Sequence, residues 1–486
     1  MKQKIYFLYD DSEELPRSIS SVVGERRFGE IIHKKSTLAS KMKKLVDDTG
    51  MAEFVHLKNY LDKQIILDKF KEENSNHIIV HFYSRSVVVD SESFNILMRK
   101  IVYTQFIHVD REIDPTMLIF TTFKDYNLYL TLKENNKRMV TKEDLGDNAL
   151  LFSPNNFLLD ISDIASFLNF FSGGFEARYF NQLVGDKYTL VKKSTDKLKI
   201  QKEHDFYHLI PNEMKPWFVM PYNFSLQHDY ACYTMERLNI PDMALQWIHN
   251  SISIKDFGVF LDKIFDFITL RPSRKLEREE YLARFKDLYY QKVVDRMEKL
   301  KSTPNFSRLE SYIINGTSFT LDALLNNYYE LYNRLVKEIK NYKEVIGHGD
   351  LCFSNILYDK NTYMMKFIDT KGALEEKDLW MDPYYDLAKL SHSILGNYDF
   401  LNNELFVANI NNSLNIEIMI KSEKLDEHQH LFLEKVSNSG FDIRIIRLCE
   451  TSLFLSMLPL HIDNPRKVLA FVLNAIKIKE ELERNV

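Results

Sequence analysis

The chain has 486 residues, 45% of them hydrophobic and 27% charged, the make-up of an ordinary globular protein of two or three domains. With 64 Lys and Arg against 69 Asp and Glu the formal net charge is -5, which excludes bulk attraction to nucleic acid or to an anionic membrane. The three cysteines, Cys232, Cys352 and Cys449, show no CxxC spacing, so neither a disulfide framework nor a zinc site is expected. No apolar run is long enough to span a bilayer, and MKQKIYFLYDDSEELP turns acidic too soon for a secretory signal; a cytoplasmic protein without membrane insertion is the expectation.

In chain order, Lys4–Tyr9, Ile78–Tyr83, Ile101–His108, Met117–Phe123 and Leu128–Leu132 read as strands from their Ile, Val, Phe and Tyr content. Leu38–Leu45 and Ser91–Lys100 read as helices from apolar spacing, and the alternation predicts an α/β domain over 1–163. No glycine-rich phosphate loop succeeds the first strand; Asp10-Asp11-Ser12-Glu13-Glu14 stands there instead and would repel phosphate. Near Ile164 the texture changes. Phe170–Arg178 places Gly173-Gly174 between two aromatic, strand-like runs, Tyr188–Ser194 reads as a strand, Lys197–Leu209 as a helix and Tyr230–Leu238 as a strand. Residues 243–345, and most of the chain beyond His348, read as helical.

Phosphoryl transfer from a nucleotide needs a cover for the phosphates, a cation on them, a group to orient the acceptor hydroxyl, and oxygen ligands for Mg²⁺. Asp350 and Asn355 lie in one loop between the apolar pairs Val345-Ile346 and Ile356-Leu357. That spacing lets Asp350 face an acceptor while Asn355 turns back towards a metal. Asp369 ends the strand-like run Met364–Ile368, and a hairpin turning at Asp359-Lys360-Asn361 would bring it beside Asn355. The set His348-Gly349-Asp350, Asn355 and Ile368-Asp369 is far more restrictive than a lone turn triplet.

The stretch His348–Asp386 resembles the catalytic region of the aminoglycoside phosphotransferase and choline kinase family, small-molecule relatives of protein kinases, which carry His-Gly-Asp where protein kinases carry His-Arg-Asp. The resemblance is looser over about 165–400. It implies a bilobal, α+β protein-kinase-like fold, with an N-lobe over 164–240 and a largely helical C-lobe over 241–486, using ATP and Mg²⁺. It implies Asp350 as catalytic base, His348 as the residue orienting the catalytic loop, and Asn355 and Asp369 as metal ligands. Asp386, in Asp382-Pro383-Tyr384-Tyr385-Asp386-Leu387-Ala388, would brace that loop through its backbone. Upstream, Lys192 would grip the nucleotide phosphates with Glu203 as its ion-pair partner; Lys193 is its rival, since a shift of one residue swaps strand faces. Ser172-Gly173-Gly174 would cover the phosphates, and Met235-Glu236-Arg237-Leu238 resembles the hinge whose backbone meets adenine, with Met235, Glu236 and Leu238 as contacts.

The chain departs from the family pattern in two places. After Asp369 comes Thr370-Lys371-Gly372, which sets a cation near the metal ligand; Lys371 either holds an anionic group of the acceptor or is a solvated lysine. The second departure is the front domain. With Phe157-Leu158-Leu159-Asp160-Ile161, Arg178-Tyr179-Phe180-Asn181 and Tyr385–Ser393, it resembles bacterial two-part proteins of capsule and surface-polysaccharide loci that join a sugar-nucleotidyltransferase-like domain to this kinase fold. The transferase signature itself is missing, and Gly24-Glu25-Arg26-Arg27-Phe28-Gly29 is a remnant of it, so a degenerate domain is expected. The reading is a small-molecule kinase acting on a hydroxyl of a sugar or polyol. Its rivals are a catalytically silent nucleotide-binding or assembly protein and a protein kinase; the short segment between Asp369 and Asp382, lacking Ala-Pro-Glu, weighs against the last.

Overall fold

The computed structural model describes residues 4–73, 77–136, 140–152, 157–172, 181–185, 188–422 and 424–484. The chain divides into two compact units, 1–176 and 177–486. Among the described residues no helix is long and apolar enough to cross a membrane.

The first unit is built on a six-stranded sheet of β1 (Ile5–Asp10), β2 (Ala52–Leu57), β3 (Ile78–Tyr83), β4 (Ile107–Val109), β5 (Met117–Phe120) and β6 (Ala149–Leu151), in the order β2-β1-β3-β5-β4-β6. β1 runs parallel to both β2 and β3, β5 is antiparallel to β3 and β4, and β6 is parallel to β4. Every residue of β1 and of β3 is buried, because helices cover both faces and leave no side of these strands to water. Tyr6, Leu8 and Ile79 pack under α2 (Tyr60–Glu73) and α4 (Phe123–Asn136), while Phe7, Tyr9 and Val80 pack under α1 (Leu38–Thr49) and α3 (Ser91–Lys100).

Two expected strands are absent from this unit. Leu128–Leu132 lies inside α4, where Tyr126 and Tyr129, three apart, are buried on one helical face. Ile101–His108 splits into a helical turn over Ile101–Tyr103 and the short β4. The short helix α5 (Ile164–Phe171), capped by Asp163, also belongs here: Phe170 and Phe171 set their rings against His33. The boundary therefore falls after Glu176 and not after Asp163, because α5 is held by aromatic contacts within the first unit. Of the acidic run at the end of β1, Asp10 and Asp11 are buried and paired, while Glu14 is exposed. Asp10 meets Lys63 at 2.8 Å and His81 at 3.2 Å, and Asp11 accepts from the Gly29 amide at 2.9 Å and pairs with His56 at 3.0 Å.

The second unit opens with a four-stranded antiparallel sheet of β7 (Asn181–Gly185), β8 (Thr189–Ser194), β9 (Pro221–Leu226) and β10 (Ala231–Glu236), in the order β7-β8-β10-β9. Helix α6 (Lys197–Leu209) lies on it, packing Ile200 against Ala231 and Tyr233. A helical body comes next, from α7 (Ile254–Leu270) through α8 (Arg278–Lys286), α9 (Lys292–Lys301), α10 (Leu321–Leu335), α11 (Pro383–Ile394), α12 (Ile443–Met457) and α13 (Pro465–Arg484). Within it, β11 (Ser273–Lys275), β12 (Lys343–Ile346) and β15 (Trp380–Met381) make a small antiparallel sheet, and β13 (Ile356–Asp359) and β14 (Met364–Phe367) a hairpin.

Phe267 of α7 joins these parts, its ring 4.7 Å from Phe367 on the hairpin, 5.9 Å from Phe218 and 5.6 Å from Trp217. Phe267→Ala should cost about 3–5 kcal/mol, the usual range for truncating a buried aromatic, measurable by urea unfolding.

Candidate active site

Strand alternation places Lys192 and Ser194 inward and Lys193 outward on β8. The Lys192 Nζ lies 2.6 Å from Glu203 Oε2 and 2.7 Å from Asp369 Oδ1. Glu203 reaches this point because Asp196 caps α6 and sets Ile200, Glu203 and Phe206 on its buried face. Tyr233 donates a further bond to Glu203 Oε2 at 3.1 Å. Burial pushes the Glu203 carboxyl up, against the pull of Lys192. Burial also opposes the charge on Lys192, but Asp369 and Glu203 outweigh it and the ammonium is held above its ordinary range. The Asp369 carboxyl, raised by burial and lowered more strongly by Lys192, ends below its ordinary range. Lys193 faces elsewhere, its Nζ 3.6 Å from the centre of the Tyr230 ring. The geometry thus separates two lysines between which spacing alone could not choose.

The loop after β12 is held by a buried carboxylate. Asp386, on α11, accepts from the His348 amide at 2.9 Å, the Gly349 amide at 2.8 Å and the Arg271 guanidinium at 3.0 Å. Asp382, which caps the same helix, accepts from Tyr281 and Tyr289; burial pushes its carboxyl up to about 6. The His348 ring is fully buried, and burial pushes its pKa down, so it is neutral. Its Nδ1 accepts the Asp350 amide at 3.1 Å and its Nε2 donates to the Ile368 carbonyl at 2.9 Å, which ties this loop to the end of β14. Gly349 has φ 81°, and a Cβ there would come within 2.5 Å of the Lys371 Cβ and 2.9 Å of the Met381 Cε; backbone conformation and space both require glycine.

Asp350 is half-buried, with its Oδ1 2.8 Å from the Lys389 Nζ. Burial opposes the charge on Lys389, but Asp350 outweighs it and the ammonium is held above its ordinary range. Lys389 was missed in the sequence, although its place three residues after Asp386 puts both on one face of α11. Asn355 donates from Nδ2 to the Asp350 carbonyl at 2.8 Å and accepts at its own backbone carbonyl from the Ile368 amide at 3.1 Å. The hairpin pairs Ile356 with Phe367, so Asn355 and Asp369 emerge from its open end. Asp369 has φ 57°, a left-handed turn that bends the chain into Thr370.

The remaining expected residues fall in different places. Met235 pairs with Leu190 across the sheet and lines a small cavity with Glu203, Tyr233 and Asp369; Glu236 ends β10 exposed, and Leu238 lies just beyond it. Ser172 closes α5 in the first unit, donating its hydroxyl to the Asn169 carbonyl, and does not form a turn within the four-stranded sheet. Among the described residues the sheet begins at Asn181. Gly173 and Gly174 lie outside the described residues. Lys371 is exposed, and its amide donates to the His348 carbonyl at 3.0 Å.

A magnesium ion fits the donor set. The Asn355 amide nitrogen is engaged by Asp350, which leaves its Oδ1, and the half-exposed Asp369 adds a carboxylate; hard oxygen donors of this kind, completed by water and phosphate, suit Mg²⁺. Among the described residues no group of three or more His, Cys, Asp or Glu side chains could hold a metal.

No family model matches the sequence, and no curated protein matches it. Among solved structures, the apo form of a thermostable mutant of aminoglycoside phosphotransferase APH(4)-Ia is 10% identical and aligns over 62% of this chain and 94% of that one, with a TM-score of 0.38. A further variant of that thermostable enzyme, in ternary complex with AMP-PNP and hygromycin B, is 9% identical over 62% and 93%, at 0.38. The streptomycin–ATP–APH(2")-IIa ternary complex is 15% identical over 64% and 89%, at 0.34. Likeness at these scores carries no argument, and the functional reading rests on the geometry of the site.

Lys192→Met should cost about 3–5 kcal/mol in urea unfolding, because Glu203 stays buried without its cation. The raised Glu203 carboxyl then keeps its proton in the folded state where the unfolded chain has lost it, so the deficit should grow as pH rises from 5 to 8. Lys193→Met should cost no more than about 1 kcal/mol, the scale of an exposed cation–π contact; equal losses would overturn the assignment of Lys192.

Proposed function

We propose that the chain is an ATP- and Mg²⁺-dependent kinase that transfers a phosphoryl group to the hydroxyl of a small molecule. The observation that carries this reading is the Lys192 ammonium lying between Glu203 and Asp369, on the hairpin that also supports Asn355 and Asp350. The four-stranded sheet with α6 would be the N-lobe and the residues from 241 the C-lobe. Lys192, held by Glu203, would grip the nucleotide phosphates; Asn355 and Asp369 would hold the metal, whose charge neutralises the phosphates as they separate. Met235 and the backbone around Glu236 and Leu238 would border the base.

Asp350 orients the acceptor hydroxyl. Its oxygen attacks the γ-phosphorus, the bond from that phosphorus to the β,γ-bridging oxygen breaks, and ADP leaves with the electron pair. The hydroxyl proton passes to Asp350 and then to water. Asp350 is held in place by its pairing with Lys389, and in a loose transition state the hydroxyl proton leaves late. His348, neutral and bonded at both nitrogens, positions the loop and takes no proton.

The acceptor, on this reading, is a sugar or polyol of surface-polysaccharide synthesis, supported by the two-unit organisation. The first unit would be a degenerate nucleotidyltransferase-like domain. Supporting this, Gly29 and Arg27 of the remnant loop are both engaged by Asp11, the Gly29 amide by its carboxylate and the Arg27 guanidinium by its carbonyl.

Incubation with Mg-ATP and candidate sugars, then mass spectrometry, should show a product heavier by one phosphoryl group. Asp350→Asn should keep nucleotide-dependent thermal stabilisation and lose about 10²–10⁴-fold in turnover. Asp369→Ala should lose the Mg²⁺-dependent part of that stabilisation. Undiminished turnover in Asp350→Asn would remove it from the chemistry, and no Mg²⁺-dependent nucleotide binding by the wild type would leave a scaffold.

A further inference from the structure

A cleft of about 380 Å³ opens beside Gly349, within the size range of small-molecule sites. Lys371, Trp380 and Met381, which come after Asp369 in the chain, line one part of it; Arg284, Asp287 and Lys292 line another. Lys371 and Met381 are the residues that approach where a Gly349 Cβ would be, so the cleft adjoins the residue next to Asp350. Between α8 and α9 the chain makes a π-helical turn over Asp287–Gln291, a local widening that is frequent at functional sites.

The cleft is lined by three cations, Arg284, Lys292 and Lys371, and three carboxylates, Asp287, Glu344 and Asp382, and they are unevenly paired. Glu344 is taken up by Arg274 and Arg284, and Asp382 by the two tyrosines. Among the described residues Lys371 and Lys292 have no carboxylate partner; Lys292 instead stands over the Tyr385 ring, 5.6 Å from its Nζ to the centre. Asp287 is, among the described residues, the cleft's carboxylate without a basic partner. Lys371, Lys292 and Asp287 are thus the charged groups left for a ligand, while Lys389 and Asp350 satisfy each other. An anion would gain two point-charge contacts here, whereas a cation would find one carboxylate, Asp287.

We propose that this cleft is the acceptor site and that it takes a hydroxyl compound bearing an oxyanion, a phosphate monoester or a carboxylate, with Lys371 and Lys292 on the oxyanion. This rests on the kinase reading and narrows its substrate class. Asp287 is then free to accept hydroxyls of the same molecule.

Tryptophan fluorescence reports the cleft through Trp380, with Trp380→Phe as the control. With Mg²⁺ and a non-hydrolysable ATP analogue bound, inorganic phosphate, a hexose monophosphate and a uronate should be titrated at constant ionic strength, beside a neutral hexose and an aminohexose. Saturable binding of at least one anion is expected, with the neutral hexose and the aminohexose at least tenfold weaker. Lys371→Ala and Lys292→Ala should each weaken anion binding at least tenfold and leave affinity for the ATP analogue unchanged. The phosphate and carboxylate arms decide which oxyanion is preferred. The proposal is overturned if no anion binds saturably, if the aminohexose binds more tightly than the anions, or if Lys371→Ala weakens the nucleotide instead. Nucleotide binding, measured separately by Mg²⁺-dependent thermal stabilisation of the wild type, fails on its own if the kinase reading is wrong.

Discussion

One ammonium group, Lys192 Nζ, holds together three pieces of chain that are remote in sequence. It stands on a strand, its first carboxylate on the next helix, and its second 177 residues away at the end of a hairpin. Desolvating a lysine and a glutamate is costly, and the arrangement holds only because both carboxylates and Tyr233 converge on it. Stability and site geometry are therefore one constraint: what holds the buried Glu203 also places Asp369 beside Asn355.

Around that point the loop that carries Asp350 is organised by buried groups. Asp386 directs its carboxylate to two backbone amides and an arginine, and His348 bonds the backbone through both nitrogens. Backbone so held has its conformation fixed by the fold itself. Gly349 connects this scaffold to the neighbouring cleft, for only a residue without a Cβ lets Lys371 and Met381 come so close. Gly372 does the same on the other side, where a Cβ would strike the Lys202 backbone and the Ala373 amide donates to the Lys202 carbonyl at 3.0 Å.

Much of this was readable from spacing. Lys197–Leu209 is a helix over the whole predicted span, and the hairpin that returns Asp369 to Asn355 arises from two short apolar runs around a turn. Spacing misled where windows were short: Leu128–Leu132, five residues of β-prone composition, belongs to a fourteen-residue helix whose buried tyrosines decide its conformation. Met235 was brought to the Lys192 cluster, whereas Ser172 was placed by the aromatic packing of α5 on His33. Asp10 and Asp11, part of the run read as repelling phosphate, are buried, and His81, Lys63 and His56 come from other strands and helices to meet them.

By itself the sequence determined which residue types were available at His348, Gly349, Asp350, Asn355 and Asp369, and, through local periodicity, the strand-turn-strand that carries the last two. Those features depend on neighbours within a few turns of chain. Only the tertiary structure decided that Lys192 and not Lys193 faces Glu203, that Lys389 stands on Asp350, and that Lys371 and Lys292 share one cleft. Each is a choice of which face of an element the core buries, made by contacts that mostly span long sequence separations, and composition along the chain carries no record of it.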